Sequence, residues 1–192
     1  MSKGENIEPG GEEPSRSYVH ELLSLLMYIA IVLVLAFVVI HFIGQRTQVS
    51  GPSMIPALED KDNLIVDKLS YRFKDPTRFD IIVFPYYYEE ETYYIKRIIG
   101  LPGETVQIDN GTIYINGEAL EENYGKEELQ DSGIADAPIV LGDDEYFVMG
   151  DNRNESKDSR DPSVGNIKRS DIIGRAWVRI WPFSKFGVLK HQ

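Results

Sequence analysis

From Leu22 to Ile43 the chain reads LLSLLMYIAIVLVLAFVVIHFI, without a single Asp, Glu, Lys or Arg. As a helix rising ~1.5 Å per residue, this run is roughly 33 Å long, enough to cross a ~30 Å hydrocarbon core. In lipid the backbone finds no partner but itself, so such a segment is held helical. The competing reading is a cleaved secretory signal. Against it, the preceding residues are acidic (Glu5, Glu8, Glu12, Glu13 and Glu21 against Lys3 and Arg16), where a signal carries a basic leader. The run also exceeds the ~7–15 residues of a signal's apolar core. The best small-residue site downstream, Val49-Ser50-Gly51, is followed by Pro52, a poor residue on the leaving side. The segment therefore reads as a retained anchor. Its orientation is not legible from charge, because basic residues flank both ends sparsely (Lys3 and Arg16 before, Arg46 after).

The anchor divides the chain into a tail over 1–17, rich in Gly, Glu, Pro and Ser and expected to be disordered, a membrane segment over 18–44, and a soluble part over 45–192. Tyr18 and His20 sit where interfacial side chains belong. The soluble part is strand-rich. Asn63–Val66, Phe79–Phe84, Tyr93–Ile99, Glu145–Met149 and Gly174–Ile180 are short, β-branched or aromatic, and bounded by Pro, Gly or charge. Val106–Ile108 and Thr112–Ile115 alternate around Asp109-Asn110-Gly111, and Asn-Gly suits a type I′ hairpin turn. Residues 117–142 are polar, acidic and patternless, and are expected to form a surface excursion. The predicted fold is all-β, antiparallel and barrel-like, with one N-terminal transmembrane α-helix. A net charge of −11 argues against nucleic acid as a partner. The absence of cysteine excludes a thiol nucleophile and any disulfide framework.

Histidine is equally restrictive. Of the three in the chain, His20 and His41 flank or lie within the apolar run and His191 is the penultimate residue. A soluble Ser-His-Asp triad has no imidazole to use, and a multi-histidine metal site is implausible. Three other segments offer chemistry. In Gly51-Pro-Ser-Met-Ile-Pro-Ala-Leu58, Ser53 lies between two prolines that restrict the backbone; it is either a nucleophile or a solvated serine in a rigid loop. In Tyr93-Tyr-Ile-Lys-Arg-Ile-Ile99, strand alternation puts Lys96 on one face with Tyr94 and Ile98. A lysine so flanked is either desolvated, which favours the neutral amine, or an edge lysine snorkelling to water. The third segment, Met149-Gly-Asp-Asn-Arg-Asn-Glu-Ser-Lys-Asp-Ser-Arg-Asp161, is either an ordinary solvent loop or one that orients a base through Ser156. Asp158–Arg160 or Asp151–Arg153 pairing would lock it.

Taken together and in order, these segments resemble the bacterial type I signal peptidases. Ser53-Met-Ile-Pro-Ala-Leu58 resembles the family's Ser-Met-x-Pro-Thr-Leu box, and Phe79-Asp-Ile-Ile-Val-Phe84 its Gly-Asp-Ile-Val-Val-Phe strand. Lys96-Arg-Ile-Ile-Gly-Leu-Pro-Gly-Glu104 resembles its general-base box, and Gly150-Asp-Asn-Arg-Asn-Glu-Ser-Lys-Asp-Ser-Arg160 its Gly-Asp-Asn-Arg-x-x-Ser-x-Asp-Ser-Arg box. The resemblance implies a membrane-bound serine endopeptidase that removes signal peptides from exported preproteins after Ala-x-Ala-like sites. It implies no metal or cofactor. Ser53 would be the nucleophile, Lys96 the general base, Ser156 the group orienting the amine, and Asp158 and Arg160 braces of that loop. Met54, Leu58, Tyr94 and Ile95 match positions that line the substrate pockets. The tail would be cytoplasmic and the catalytic domain outside. A single span and a cysteine-free compact domain look most like Gram-positive members. Three residues depart from the pattern: Ala57 replaces Thr, Phe79 replaces Gly, and Gly51 offers no side-chain hydroxyl for an oxyanion. Two rival readings are a Ser/Lys self-cleaving repressor-type domain, disfavoured by the anchor, and a non-catalytic assembly factor. The second would be expected to have lost Ser53 or Lys96.

Overall fold

The computed structural model describes residues 17–38, 44–89, 92–125 and 127–190. The tail expected over 1–17 lies almost wholly outside them, as do residues 39–43 at the end of the apolar run. Two units are distinct, Met1–Val39 and Ile40–Gln192.

Among the described residues, the first unit contains one helix, α1 (Ser17–Val38). Within it His20–Phe37 has a mean hydropathy of 2.2, and none of that stretch is buried. It is long and apolar enough to cross a membrane.

The second unit is built from strands, all paired antiparallel. The larger sheet has eight: β1 (Gly44–Gln48), β2 (Asn63–Asp67), β3 (Ile81–Pro85), β4 (Tyr93–Gly100), β9 (Glu145–Met149), β10 (Ile167–Lys168), β11 (Gly174–Trp181) and β12 (Gly187–Val188). Its order is β1-β2-β11-β3-β4-β9-β10, with β12 beside β11. The smaller sheet runs β7 (Glu118–Ala119), β6 (Thr112–Ile115), β5 (Thr105–Asp109), β8 (Ile139–Val140). The expected antiparallel β architecture holds, but closure does not. Both sheets are open, and β1 and β10 form the ends of the larger one.

The central strands are buried on both faces. On β3, Ile81 and Val83 enter a cluster with Met54, Leu58 and Ile95, while Ile82 and Phe84 enter another with Ile98, Tyr146 and Val148. Period-two alternation produces this division. A third cluster joins Ile99, Phe147 and Met149 to Val106, Ile108, Ile113 and Ile115 of the smaller sheet. At Asn110-Gly111 both residues have positive φ, 47° and 77°, as the predicted hairpin turn requires. The stretch 117–142 is less of a surface excursion than its acidity suggests. It contributes β7 and β8, and Leu129, Ala135 and Leu141 close the third cluster.

The departure at Phe79 acquires a reason. Its φ is +71°, a conformation that disfavours a bulky side chain and suits the glycine that the resemblance leads one to expect there. Here the phenyl ring is buried and lies 5.0 Å from the ring of Tyr124, packing that offsets the backbone cost.

Candidate active site

Ser53 sits in the turn that follows β1, where Ile55 N–H donates to Pro52 O (3.1 Å) and Leu58 N–H to Met54 O (2.8 Å). Met54 and Leu58 anchor this turn in the core. Lys96 lies in the middle of β4, opposite Ile82 of β3. The two meet: Lys96 Nζ is 2.9 Å from Ser53 Oγ and donates a second bond to Ile95 O at 3.1 Å. The Tyr94 ring centroid is 4.8 Å from the same nitrogen. Lys96 is only 4% exposed. Burial pushes its ammonium down from 10.5 to about 8, against the opposing pull of Asp158 and Asp151. A lysine in this state supplies a neutral amine at mildly alkaline pH, within hydrogen-bond reach of a hydroxyl.

The loop after β9 holds the turn that carries Ser53. Asn152 N–H donates to Ser53 O (3.0 Å) and Asn152 Nδ2 to Pro52 O (3.2 Å). Gly150 is pressed so close that a Cβ there would lie 2.4 Å from Ser53 O and 2.2 Å from Ser156 Oγ. Only glycine fits. Asp158 accepts from Gly150 N–H (3.0 Å) and from Arg160 Nε (2.8 Å), and Arg160 reaches on to Asp131 O (2.8 Å). The expected Asp158–Arg160 pair is therefore present. Asp151 instead pairs with Arg97, by two bonds of 2.7 Å, and Arg153 pairs with Glu122. Proximity in sequence suggested Asp151–Arg153, but Arg97, 54 positions away, holds the carboxylate in the interior.

Ser156 does not bond the lysine amine. Its Oγ is buried with no hydrogen-bond partner. The cleft over Ser53 and Lys96, about 260 Å³, is lined by Met54, Tyr94 and Ile95 among the residues expected there. Leu58 is fully buried beneath it and takes no part in the lining. Gln48, Val49, Tyr93, Glu155 and Lys157 also line it. Of these, Glu155 and Lys157 were legible in principle, since each adjoins Ser156. Lys157 Nζ donates to Tyr86 Oη (2.6 Å), and the Tyr86 ring stacks on Tyr94 at 4.5 Å. A larger cavity of about 410 Å³ is lined by Gln130, Asp131, Arg153, Ser156 and Arg160 and contains neither Ser53 nor Lys96.

Two further features bear on chemistry at Ser53. Gly51 N–H is committed to Asp60 Oδ1 (3.0 Å) and Pro52 has none, which leaves the N–H of Ser53 itself for an oxyanion. Strand β4 pairs with β3 over Tyr93–Arg97, but with β9 only from Arg97 onward. The β9-facing edge of Tyr93–Lys96 is thus unpaired with β9 and borders the cleft.

The family model described as signal peptidase, peptidase S26, matches residues 22–181. A signal peptidase I from Leptolyngbya laminosa is 39% identical, over 95% of this chain and 90% of that protein. A probable signal peptidase I-2 from Synechocystis is 38% identical over 81% of this chain and 72% of its own length. The signal peptidase IB of Staphylococcus aureus is 34% identical over 86% and 93%. A crystal structure of a signal peptidase I from Enterococcus faecalis is 38% identical, with a TM-score of 0.45, covering 53% of this chain and 97% of that one. The chain belongs to the signal peptidase family, peptidase S26, a family of serine endopeptidases.

Proposed function

We propose that this protein removes signal peptides from exported preproteins through a Ser53/Lys96 dyad. The observation that carries the reading is the 2.9 Å approach of a buried lysine amine to a serine hydroxyl. Neutral Lys96 takes the Ser53 proton as Oγ attacks the scissile carbonyl, and the N–H of Ser53 faces the developing oxyanion. The resulting ammonium then protonates the leaving amine, and an acyl-enzyme ester remains on Ser53. Lys96, neutral again, deprotonates a water that hydrolyses the ester and returns the proton to Ser53. Asp158 and Arg160 hold the loop that supports the Ser53 turn. Ser156, whose hydroxyl has no hydrogen-bond partner, is the group we assign to orient the amine.

Substrate choice follows from the unpaired edge of Tyr93–Lys96. An extended peptide laid along it points alternate side chains, one and three residues before the cut, to the same face. There Met54, Tyr94 and Ile95 leave room for small residues, consistent with an Ala-x-Ala preference. In this reading α1 is the single membrane span, residues 1–17 lie in the cytoplasm, and residues 45–192 form the catalytic domain outside. Exposed Trp181, Phe183, Phe186 and Val188 (50–75% exposed) give that domain an apolar surface suited to a bilayer. The chain's acidity leaves nucleic acid without a role.

The pH dependence of kcat/KM on a preprotein tests the base. Only the neutral amine is competent, so kcat/KM is expected to rise with pH, reach half its maximum near pH 8 and level off above it. A profile flat from pH 6 to 9, or one that falls as pH rises, rules Lys96 out.

A further inference from the structure

The acidic stretch that no catalytic box absorbs places two residues directly on the guanidinium groups behind the active site. Arg153 is 4% exposed; its Nε donates to Gly150 O (3.0 Å) and its two terminal nitrogens form a fork onto the Glu122 carboxylate, one of them at 2.7 Å. Arg97, 1% exposed, holds Asp151 by two bonds, and the ring of Tyr124 covers it, 3.8 Å from guanidinium carbon to centroid. The Gly150-Asp151 turn is therefore gripped by two arginines, each backed by a residue of the same short segment. Other ties run along it: Gln130 N–H donates to Asn154 Oδ1 (3.0 Å), Asn154 Nδ2 to Glu128 O (2.9 Å), and Ile134 N–H to Arg160 O (3.0 Å). The gripped turn is the one with no room for a Cβ beside Ser53 O, and the next residue, Asn152, holds that same carbonyl.

We infer that residues 120–125 and 127–137 are a buttress that sets the position of the nucleophile turn, and that Glu122, acting through Arg153 and Gly150, is its positioning residue. The inference rests on Ser53 being the nucleophile. Glu122 touches neither Ser53 nor Lys96. Its effect is transmitted because a rigid fork fixes the arginine in plane, and because Gly150 leaves no room for even a Cβ beside the turn it locates. A displacement of ~1 Å at a reacting group costs up to ~10²-fold in rate, and the absence of slack at Gly150 gives a displaced loop no way to leave Ser53 in place.

The test uses the full chain in detergent with a preprotein substrate, and compares Glu122→Ala, Arg153→Ala and the double variant. Ile172→Ala, which hollows a core cluster that contains no residue of this segment, is the stability control. All assays run below every variant's melting temperature, with kcat expressed per folded molecule. Glu122→Ala is expected to lower kcat by ~30–100-fold with KM within about twofold. Glu122→Gln, which keeps one hydrogen-bond acceptor, should recover part of the loss, and Ile172→Ala should keep the wild-type kcat. Because Glu122 acts through Arg153, the double variant should lose no more than Arg153→Ala alone. The inference is overturned if Glu122→Ala retains the wild-type kcat per folded molecule, or if the two losses multiply. A Ser53→Ala sample in the same series separates the two failures. Activity surviving there removes the nucleophile assignment, whereas a dead Ser53→Ala beside a fully active Glu122→Ala removes only the buttress.

Discussion

Replacing Lys96 by Met should yield a protein that no longer cleaves preproteins and is more stable than the wild type at neutral pH. The loss of activity follows from the base. Removing a positioned general base costs ~10²–10⁴-fold, and in the proposed mechanism the same group activates both the serine and the hydrolytic water. Lys96→Arg should be equally inactive, because a guanidinium stays protonated at any working pH. The gain in stability follows from the same burial. Folding lowers the Lys96 pKa from 10.5 to about 8. At ~1.36 kcal/mol per unit, holding the ammonium inside the fold at pH 7 therefore costs roughly 3 kcal/mol, which an apolar side chain of similar length avoids. Between about pH 8 and 10.5 the unfolded chain binds a proton that the folded one does not, so wild-type stability should rise with pH across that window. In Lys96→Met this slope should be absent. Thermal melts of both proteins in detergent at pH 7 and pH 10 measure each effect. A Met variant less stable than wild type at pH 7, or an Arg variant that turns over, would contradict this account of the lysine.

The largest loss of stability is expected at the Arg97–Asp151 pair. Each partner is 1% exposed and the two share two hydrogen bonds of 2.7 Å. Arg97 also donates to Phe79 O (2.9 Å). Truncating Asp151 to Ala strands a guanidinium in the interior, and breaking such a pair costs ~3–5 kcal/mol. Arg97→Met strands the carboxylate at similar cost. The double variant Arg97→Met, Asp151→Leu removes both charges and should recover much of the loss, since the desolvation penalty disappears with them. Denaturation midpoints in detergent provide the check. A single substitution costing under ~1 kcal/mol, the range of exposed ion pairs, would mean that water reaches this site.

How much of this was legible in the sequence depended on the physics behind each element. The strands read from sequence are those whose burial is written in β-branched and aromatic side chains, as at Ile81–Val83 and Ile95–Ile99. Strand β1, GQRTQ, is polar because it lies at a sheet edge with mostly exposed side chains; only its backbone ladder to β2 makes it a strand. Strands β7, β8, β10 and β12 are two residues each, too short to show a period. The second Asn-Gly pair, Asn116-Gly117, also has positive φ at both residues and turns β6 into β7. It carried the same signal as Asn110-Gly111. Ser53 and Lys96 stood out because histidine and cysteine were unavailable to them and because the surrounding boxes resembled a known pattern. What acts on them from a distance was hidden: Asp151 finds Arg97 rather than its near neighbour Arg153, and Leu58 serves the core rather than the cleft. The buttressing role inferred for Glu122 was masked by the acidity of its stretch, since Glu122 reads as one more solvated charge until Arg153 is seen beneath it.

The central claim is tested most directly by incubating the full-length protein, in detergent, with a preprotein carrying an Ala-x-Ala site, beside Ser53→Ala, and sequencing the N-terminus of the product. The expected result is one new N-terminus directly after that site with the wild type, and intact preprotein with Ser53→Ala. Cleavage by Ser53→Ala at the wild-type position would place the nucleophile elsewhere. Binding of the preprotein by wild type without cleavage would make the protein a carrier of exported chains and not a peptidase.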